Sequence, residues 1–264
     1  MMLIDVHAHM DFEEYMNTKI DIEKNIIDCK SKDVVAIISQ GVDAASNRKV
    51  LELSAKHKII KAALGIYPTH CYEMIKQGKE KEFDAEVRFI DEKLRERKAI
   101  AVGEVGLEYK EVEPTDENKR IMKECLKKFI ELAKKHDVPI ILHSRNAELE
   151  LIEFLETEGM KNRKVIMHCF SGRKHHIQRI KDNGWFLTIP ANVVRLEHFQ
   201  YIARDIPLQQ LFTETDSPYL SPIPGTINNP SNVIYAIKKI AELKKMTPEE
   251  VSNIIYNNYQ RIFL

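Results

Sequence analysis

At 264 residues, with 44% hydrophobic and 30% charged side chains, the chain has enough material for one large globular domain, the scale of an α/β barrel of about 250 residues. Lys+Arg and Asp+Glu both total 40, so the formal net charge is zero, which excludes a global positive field that would recruit polyanions and leaves only local patches. Cys29, Cys71, Cys125 and Cys169 form no CxxC pair, which argues for a reducing, cytoplasmic setting, and no apolar run approaches the ~20 residues that span a bilayer.

Apolar segments of strand length recur along the whole chain: Leu3–Val6, Val34–Ser39, Ile59–Gly65, Ala99–Gly103, Ile140–His143, Val165–Met167, Trp185–Ile189 and Leu211–Thr213. Charge-rich segments with helical spacing lie between them. Phe83, Val87, Ile90 and Leu94 make one apolar stripe, and residues 116–136 make the clearest, through Ile121, Cys125, Leu126, Phe129, Leu132 and Ala133. Ser217–Pro230, with four prolines, reads as an ordered loop, followed by helices near 231–245 and 248–261. Thr247-Pro248-Glu249-Glu250 predicts the start of the last one, with Thr247 as N-cap and Pro248 in the first helical position. Strands alternating with helices predict a closed (β/α)8 TIM barrel over residues 1–264, a single domain with its site at the C-terminal ends of the strands. The alternative, an open doubly wound sheet, would have no obvious glycine-rich phosphate loop, since neither GxGxxG nor GxxxxGK[ST] occurs.

Six residues of metal-ligand type fall at these strand ends. His7 and His9 are two apart and so share a face of the first strand, while Asp5 has the same parity and could orient a ligand from behind. Glu104, His143, His168 and Asp216 stand at or just after four later strands. One buried histidine is ordinarily a satisfied core residue, but six such groups converging would be costly to bury unless they met a cation or one another. His7, His9 and Asp216 are expected on one divalent ion and His143 and His168 on a second, with Glu104 bridging through its two oxygens. Imidazole and carboxylate together suit Mg, Mn or Zn. Cys169, next to His168, is expected to be a small buried residue rather than a ligand.

Asp5-Val6-His7-Ala8-His9, Gly103-Glu104-Val105-Gly106-Leu107-Glu108, His143-Ser144-Arg145, His168-Cys169-Phe170-Ser171-Gly172 and Glu214-Thr215-Asp216-Ser217-Pro218-Tyr219-Leu220 resemble, in order, the motifs of the TatD family of metal-dependent hydrolases. The match continues to Asn258-Tyr259-Gln260-Arg261-Ile262-Phe263 and so covers nearly the whole chain. The resemblance implies a (β/α)8 fold, two divalent cations held by His7, His9, Glu104, His143, His168 and Asp216, and hydrolysis of phosphodiesters, often DNA. The chain departs from the family pattern at Tyr67, where a histidine is common, and at Glu108, commonly Asp. Basic residues are also missing from the loop at Gly225-Thr226-Ile227-Asn228-Asn229-Pro230.

These readings converge on a two-metal phosphodiesterase of nuclease type. Asp216 would act as ligand and general base, Glu104 as the bridge, and Arg145, two residues past His143, would meet the substrate phosphate with its planar fork, helped by His70. Arg173, Lys174 and Arg195 could extend a phosphate track, and Tyr67, Phe170 and Tyr219 could stack on bases. Two other functions compete: a metal-dependent deacylase or lactonase on the same barrel, and a non-catalytic, metal-bound nucleic-acid-binding scaffold.

Overall fold

A computed structural model describes residues 1–11 and 21–264. Eight strands, β1 (Leu3–Ala8), β2 (Val34–Gln40), β3 (Ile60–Leu64), β4 (Ala101–Glu108), β5 (Ile140–Arg145), β6 (Val165–Met167), β7 (Phe186–Pro190) and β8 (Leu211–Glu214), form one sheet in sequence order. Neighbours pair in parallel, as in β1 with β2, β4 with β5 and β7 with β8. Between the strands lie α1 (Ile22–Ser31), α2 (Ala44–Lys56), α3 (Pro68–Lys76), α4 (Glu80–Arg95), α5 (Asp116–His136), α6 (Glu148–Thr157), α7 (Lys174–Asp182) and α8 (Glu197–Asp205), followed after β8 by α9 (Val233–Lys244) and α10 (Pro248–Phe263). Parallel strands in unbroken order, alternating with helices, make this a (β/α)8 TIM-barrel fold.

The residues gather into two compact units, Met1–Ser39 with Glu52–Lys61 and Leu187–Leu264, and Gln40–Leu51 with Ala62–Phe186. In the first unit the end of β8 lies against β1: the Thr213 hydroxyl donates to the Ile4 carbonyl, Asp216 N–H donates to the His7 carbonyl, and Ala8 bridges Ser217. Its core is apolar and aromatic, with Phe212 and Phe263 edge to face at 5.7 Å. The Asn258 amide spans the carbonyls of Leu208 and Leu211 and so sets the start of β8. Thr247 caps α10 in a reciprocal box with Glu250, as the Thr-Pro-Glu-Glu run predicts.

In the second unit α5 buries the stripe the sequence indicates, Ile121, Cys125, Leu126, Phe129, Leu132 and Ala133, adding Met122 and Ile130. Phe129 meets Phe83 of α4 edge to face at 5.9 Å. Each buried Ile, Leu, Met or Phe among them contributes about 1.5–3 kcal/mol, which is what holds so charged a helix on the sheet. Glu86, rather than Val87, takes the buried position on α4, because Asn47 and Arg48 both donate to its carboxylate. Strand β4 runs past Gly103 to Glu108, so Glu104 lies inside the strand rather than after it. The charged Glu104 and Glu108 disguise this extension in the sequence, although the ladder pairs Gly106 with His143 and Glu108 with Arg145. At Gly106 a Cβ would sit 2.0 Å from the His143 carbonyl oxygen, so only glycine lets β4 lie this close to β5.

Cys169 differs from expectation. Strand β6 ends at Met167, so strand alternation no longer governs Cys169, whose φ of 42° lies in the left-handed region and whose side chain is half-exposed rather than buried.

Candidate metal centre

The first unit brings His7, His9 and Asp216 together. Period-two alternation on β1 sends both imidazoles to one side, with ring centroids 5.1 Å apart. Asp216 is delivered by a backbone turn just past β8, at a φ of 57° that a short acidic side chain tolerates better than most. Its Oδ1 stands 3.6 Å from His7 Nε2 and 3.5 Å from His9 Nε2. Those separations are long for N–H···O hydrogen bonds. They are close to the spacing of about 3.0–3.4 Å that two ligands each ~2.1 Å from one ion subtend at tetrahedral to octahedral angles. The donor set therefore fits a divalent cation, and His7 has its ligand atom within 4.8 Å of those of His9 and of Asp216.

Behind this cluster Asp5 is fully buried. Its Oδ1 accepts the N–H groups of His7 and Thr215 at 3.2 and 2.9 Å, and its Oδ2 accepts the Thr215 hydroxyl, which in turn meets the Ser217 hydroxyl at 2.6 Å. Burial pushes this carboxyl well above the usual carboxylate range, against the hydrogen bonds from Thr215 and His7 that favour the anion. Asp5 thus fixes the backbone on both sides of the cluster rather than a ligand ring.

The second unit holds Glu104, His143 and His168. His143 Nδ1 lies 3.0 Å from Glu104 Oε1, and its Nε2 lies 2.9 Å from Glu108 Oε2. Glu108 is itself anchored, its Oε1 accepting the N–H groups of Lys110 and Glu111 at 2.6 and 3.2 Å. Burial works against charge on the ring, but the bonds to Glu104 and Glu108 outweigh it and raise the His143 pKa. Burial also works against Glu108, and there the bonds from His143 and Lys110 N–H win and lower it. A histidine that offers one nitrogen beside a carboxylate while a second carboxylate holds the other is the usual support for a metal-bound imidazole. His168 follows β6, is buried, and lies within electrostatic reach of His143.

Tyr67 joins this second cluster. Its hydroxyl is 3.2 Å from His143 Nε2 and 3.4 Å from Glu108 Oε2. Burial, then the charges of Glu104 and Glu108, push the phenol's pKa upward, so it stays protonated and donates. His70 stands beside Tyr67, their rings edge to face with centroids 6.0 Å apart, and its Nδ1 lies 2.9 Å from the Val42 carbonyl oxygen. Arg145 is exposed at the end of β5, with Nη1 3.4 Å from Glu111 Oε1. Of the other sequence candidates, Phe170 is fully buried and cannot stack on a substrate, and Arg195 donates to the Ser221 carbonyl at 2.7 Å. The role of Glu108 was missed from sequence alone, although its shared strand parity with Glu104 carries the signal.

Ligand-type side chains displayed from the strand ends of a (β/α)8 fold define a metal-dependent hydrolase class. The TatD related DNase family profile matches residues 4–264, and the chain belongs to that family. It is 33% identical to the uncharacterized metal-dependent hydrolase YabD of Bacillus subtilis, over 99% of both chains. Human deoxyribonuclease TATDN3 is 28% identical, across 99% of this chain and 94% of its own. The crystal structure of YJJV, a TatD homologue from Escherichia coli, superposes with a TM-score of 0.83 at 26% identity, covering 99% of this chain and 97% of that one.

Proposed function

We propose that residues 1–264 act as one two-metal phosphodiesterase domain of nuclease type, with DNA as the expected substrate. The observation that carries this reading is the Asp216 carboxylate facing both imidazoles of His7 and His9 at 3.5–3.6 Å. Such a carboxylate can ligate a cation and still present an oxygen to a water proton. The reading assigns His7, His9 and Asp216 to one divalent cation and His143 and His168 to the other, with Glu104 shared, the cations being Mg, Mn or Zn. Bound there, they would supply Lewis-acid activation of water and phosphate and stabilise the departing oxygen.

The chain's own residues do the rest. Asp216 accepts the proton of the attacking water. Glu108 and Tyr67 keep His143 Nε2 engaged, so that Nδ1 faces Glu104. Arg145, exposed at the end of β5, meets a phosphate oxygen, with His70 as the second substrate contact. The named deoxyribonuclease among the relatives supports the substrate class. Four free cysteines support a reducing, cytoplasmic setting, and among the described residues no helix is long and apolar enough to cross a membrane.

The test is demetallated protein reconstituted with single metals and assayed on DNA, RNA, small phosphodiesters and acyl esters or lactones, with metal content measured in parallel. Turnover of phosphodiesters with about two ions bound is expected, and loss of both ions in Glu104→Ala. Turnover of acyl substrates alone would transfer the assignment to a deacylase or lactonase. Nucleic-acid binding without any turnover would make the chain a scaffold. Full metal content in Glu104→Ala would end the bridging role.

A further inference from the structure

Four of the ten exposed large apolar side chains among the described residues, Leu196, Tyr219, Ile223 and Ile227, belong to the segment after β8 and to the turn that Arg195 ties to it. Three of them belong to Ser217–Pro230, a segment without a single Asp, Glu, Lys, Arg or His. The segment is nevertheless tightly built. Ile223-Pro224-Gly225-Thr226 closes a turn in which Thr226 N–H donates to the Ile223 carbonyl and Gly225 takes a φ of 75°. This is the Pro-then-Gly chemistry of a type II turn. The Thr226 hydroxyl meets the Ser221 hydroxyl at 2.7 Å, Arg195 holds the Ser221 carbonyl, and the Asn228 amide donates to the carbonyls of Thr215 and Tyr219 at 2.8 and 2.7 Å. Exposed apolar side chains on so well-tied a loop bury little area and leave apolar surface open to a ligand.

The loop also adjoins the ligand cluster directly. His9 N–H donates to the Ser217 carbonyl, Tyr219 N–H donates to the Asp216 carbonyl, and the Tyr219 and His9 rings lie edge to face at 6.4 Å. A phosphate held at His7, His9 and Asp216 would have an uncharged, partly aromatic wall beside it. We propose that this wall seats the nucleobase adjoining the scissile phosphate. The enzyme would then recognise its substrate by a planar, apolar group next to the bond it cleaves, more than by charge along a phosphate backbone. This inference rests on the phosphodiesterase reading above. A base stacked on an aromatic side chain gains affinity whatever its identity, because every base has a π-face, so the wall favours bases without selecting among them.

The test reads binding rather than turnover, which keeps its failure separate from that of the hydrolytic assignment. Metal-reconstituted protein is titrated calorimetrically with dAMP and with 2-deoxyribose 5-phosphate, which share sugar and phosphate and differ in the base. Wild type should bind dAMP about tenfold tighter. The Ile223→Ser/Ile227→Ser double variant, altered only at exposed positions, should reduce that advantage to about twofold or less, with metal content and melting temperature unchanged. Tyr219→Ala provides an independent second variant with the same expected loss. Equal affinity for the two probes in wild type, no binding of either, or an advantage that survives both variants overturns the proposal. So does a wild-type dimer that the double variant dissociates without any base preference, since the loop would then be a self-association face. A base preference that is intact in a protein without phosphodiesterase turnover would support the wall and count against the hydrolytic reading instead.

Discussion

The two candidate ligand clusters are supported in opposite ways. In the first unit the buried carboxylate of Asp5 grips backbone, the N–H groups of His7 and Thr215, and never touches an imidazole nitrogen. In the second unit the buried carboxylate of Glu108 grips the imidazole of the candidate ligand itself, at His143 Nε2. The difference separates stability from ligand chemistry. An acid that satisfies buried N–H groups holds strand ends in place, so its loss should appear in folding. An acid that fixes an imidazole proton selects which nitrogen is free, so its loss should appear in metal affinity.

The comparison is most exposed at Asp5. Asp5→Ala leaves two buried N–H groups and the Thr215 hydroxyl without their acceptor. At about 1–3 kcal/mol for each unsatisfied group, the expected loss of unfolding free energy is about 3 kcal/mol or more in urea denaturation. A loss below about 1 kcal/mol would remove the backbone-support role.

Asp216→Asn comes next, because it changes chemistry in the first unit without touching that support. The fold and at least part of the metal binding should persist, while the single-turnover rate at saturating metal drops by about 10²-fold or more, the scale of a lost general base. A near-normal chemical step would leave Asp216 as a ligand only.

Glu108→Gln should do the reverse of Asp5→Ala. The glutamine oxygen can still accept from Lys110 and Glu111, but its amide presents N–H where His143 Nε2 needs an acceptor. Metal affinity is expected to fall by about 10–100-fold, with little change in melting temperature. Tyr67→Phe, which removes two longer contacts, to His143 Nε2 and Glu108 Oε2, should weaken binding only a few-fold. If the melting temperature collapses while affinity holds, the contrast between the two clusters disappears.

The smallest effect belongs to Arg145, 44% exposed and held by one long contact to Glu111. Arg145→Ala should reduce kcat/KM on phosphodiesters by about tenfold, within the range of one hydrogen bond to a charged group, with metal content unchanged. Arg145→Lys should recover part of that by keeping charge without the fork. Unaltered kinetics would take Arg145 out of the substrate site.

Much of this was legible in the sequence because it is local. Strand alternation and helical spacing are properties of neighbouring residues, so seven of the eight strands could be read to within a residue or two and α5 to its ends, while the run into β4 was cut short by its acids. The parity of His7 and His9 needed no partner to be seen. What tertiary structure decided was pairing. Burial of Glu86 on α4 depends on Asn47 and Arg48, some forty residues away. The union of Glu108 with His143 and Tyr67 depends on the β4–β5 register that Gly106 permits. Asp5, whose parity suggests a residue that orients a ligand from behind, instead anchors the backbone of Thr215 because β8 returns beside β1. Which residues can bear the chemistry follows from composition and period, whereas which acid meets which donor is a matter of contacts between distant segments that no local pattern encodes.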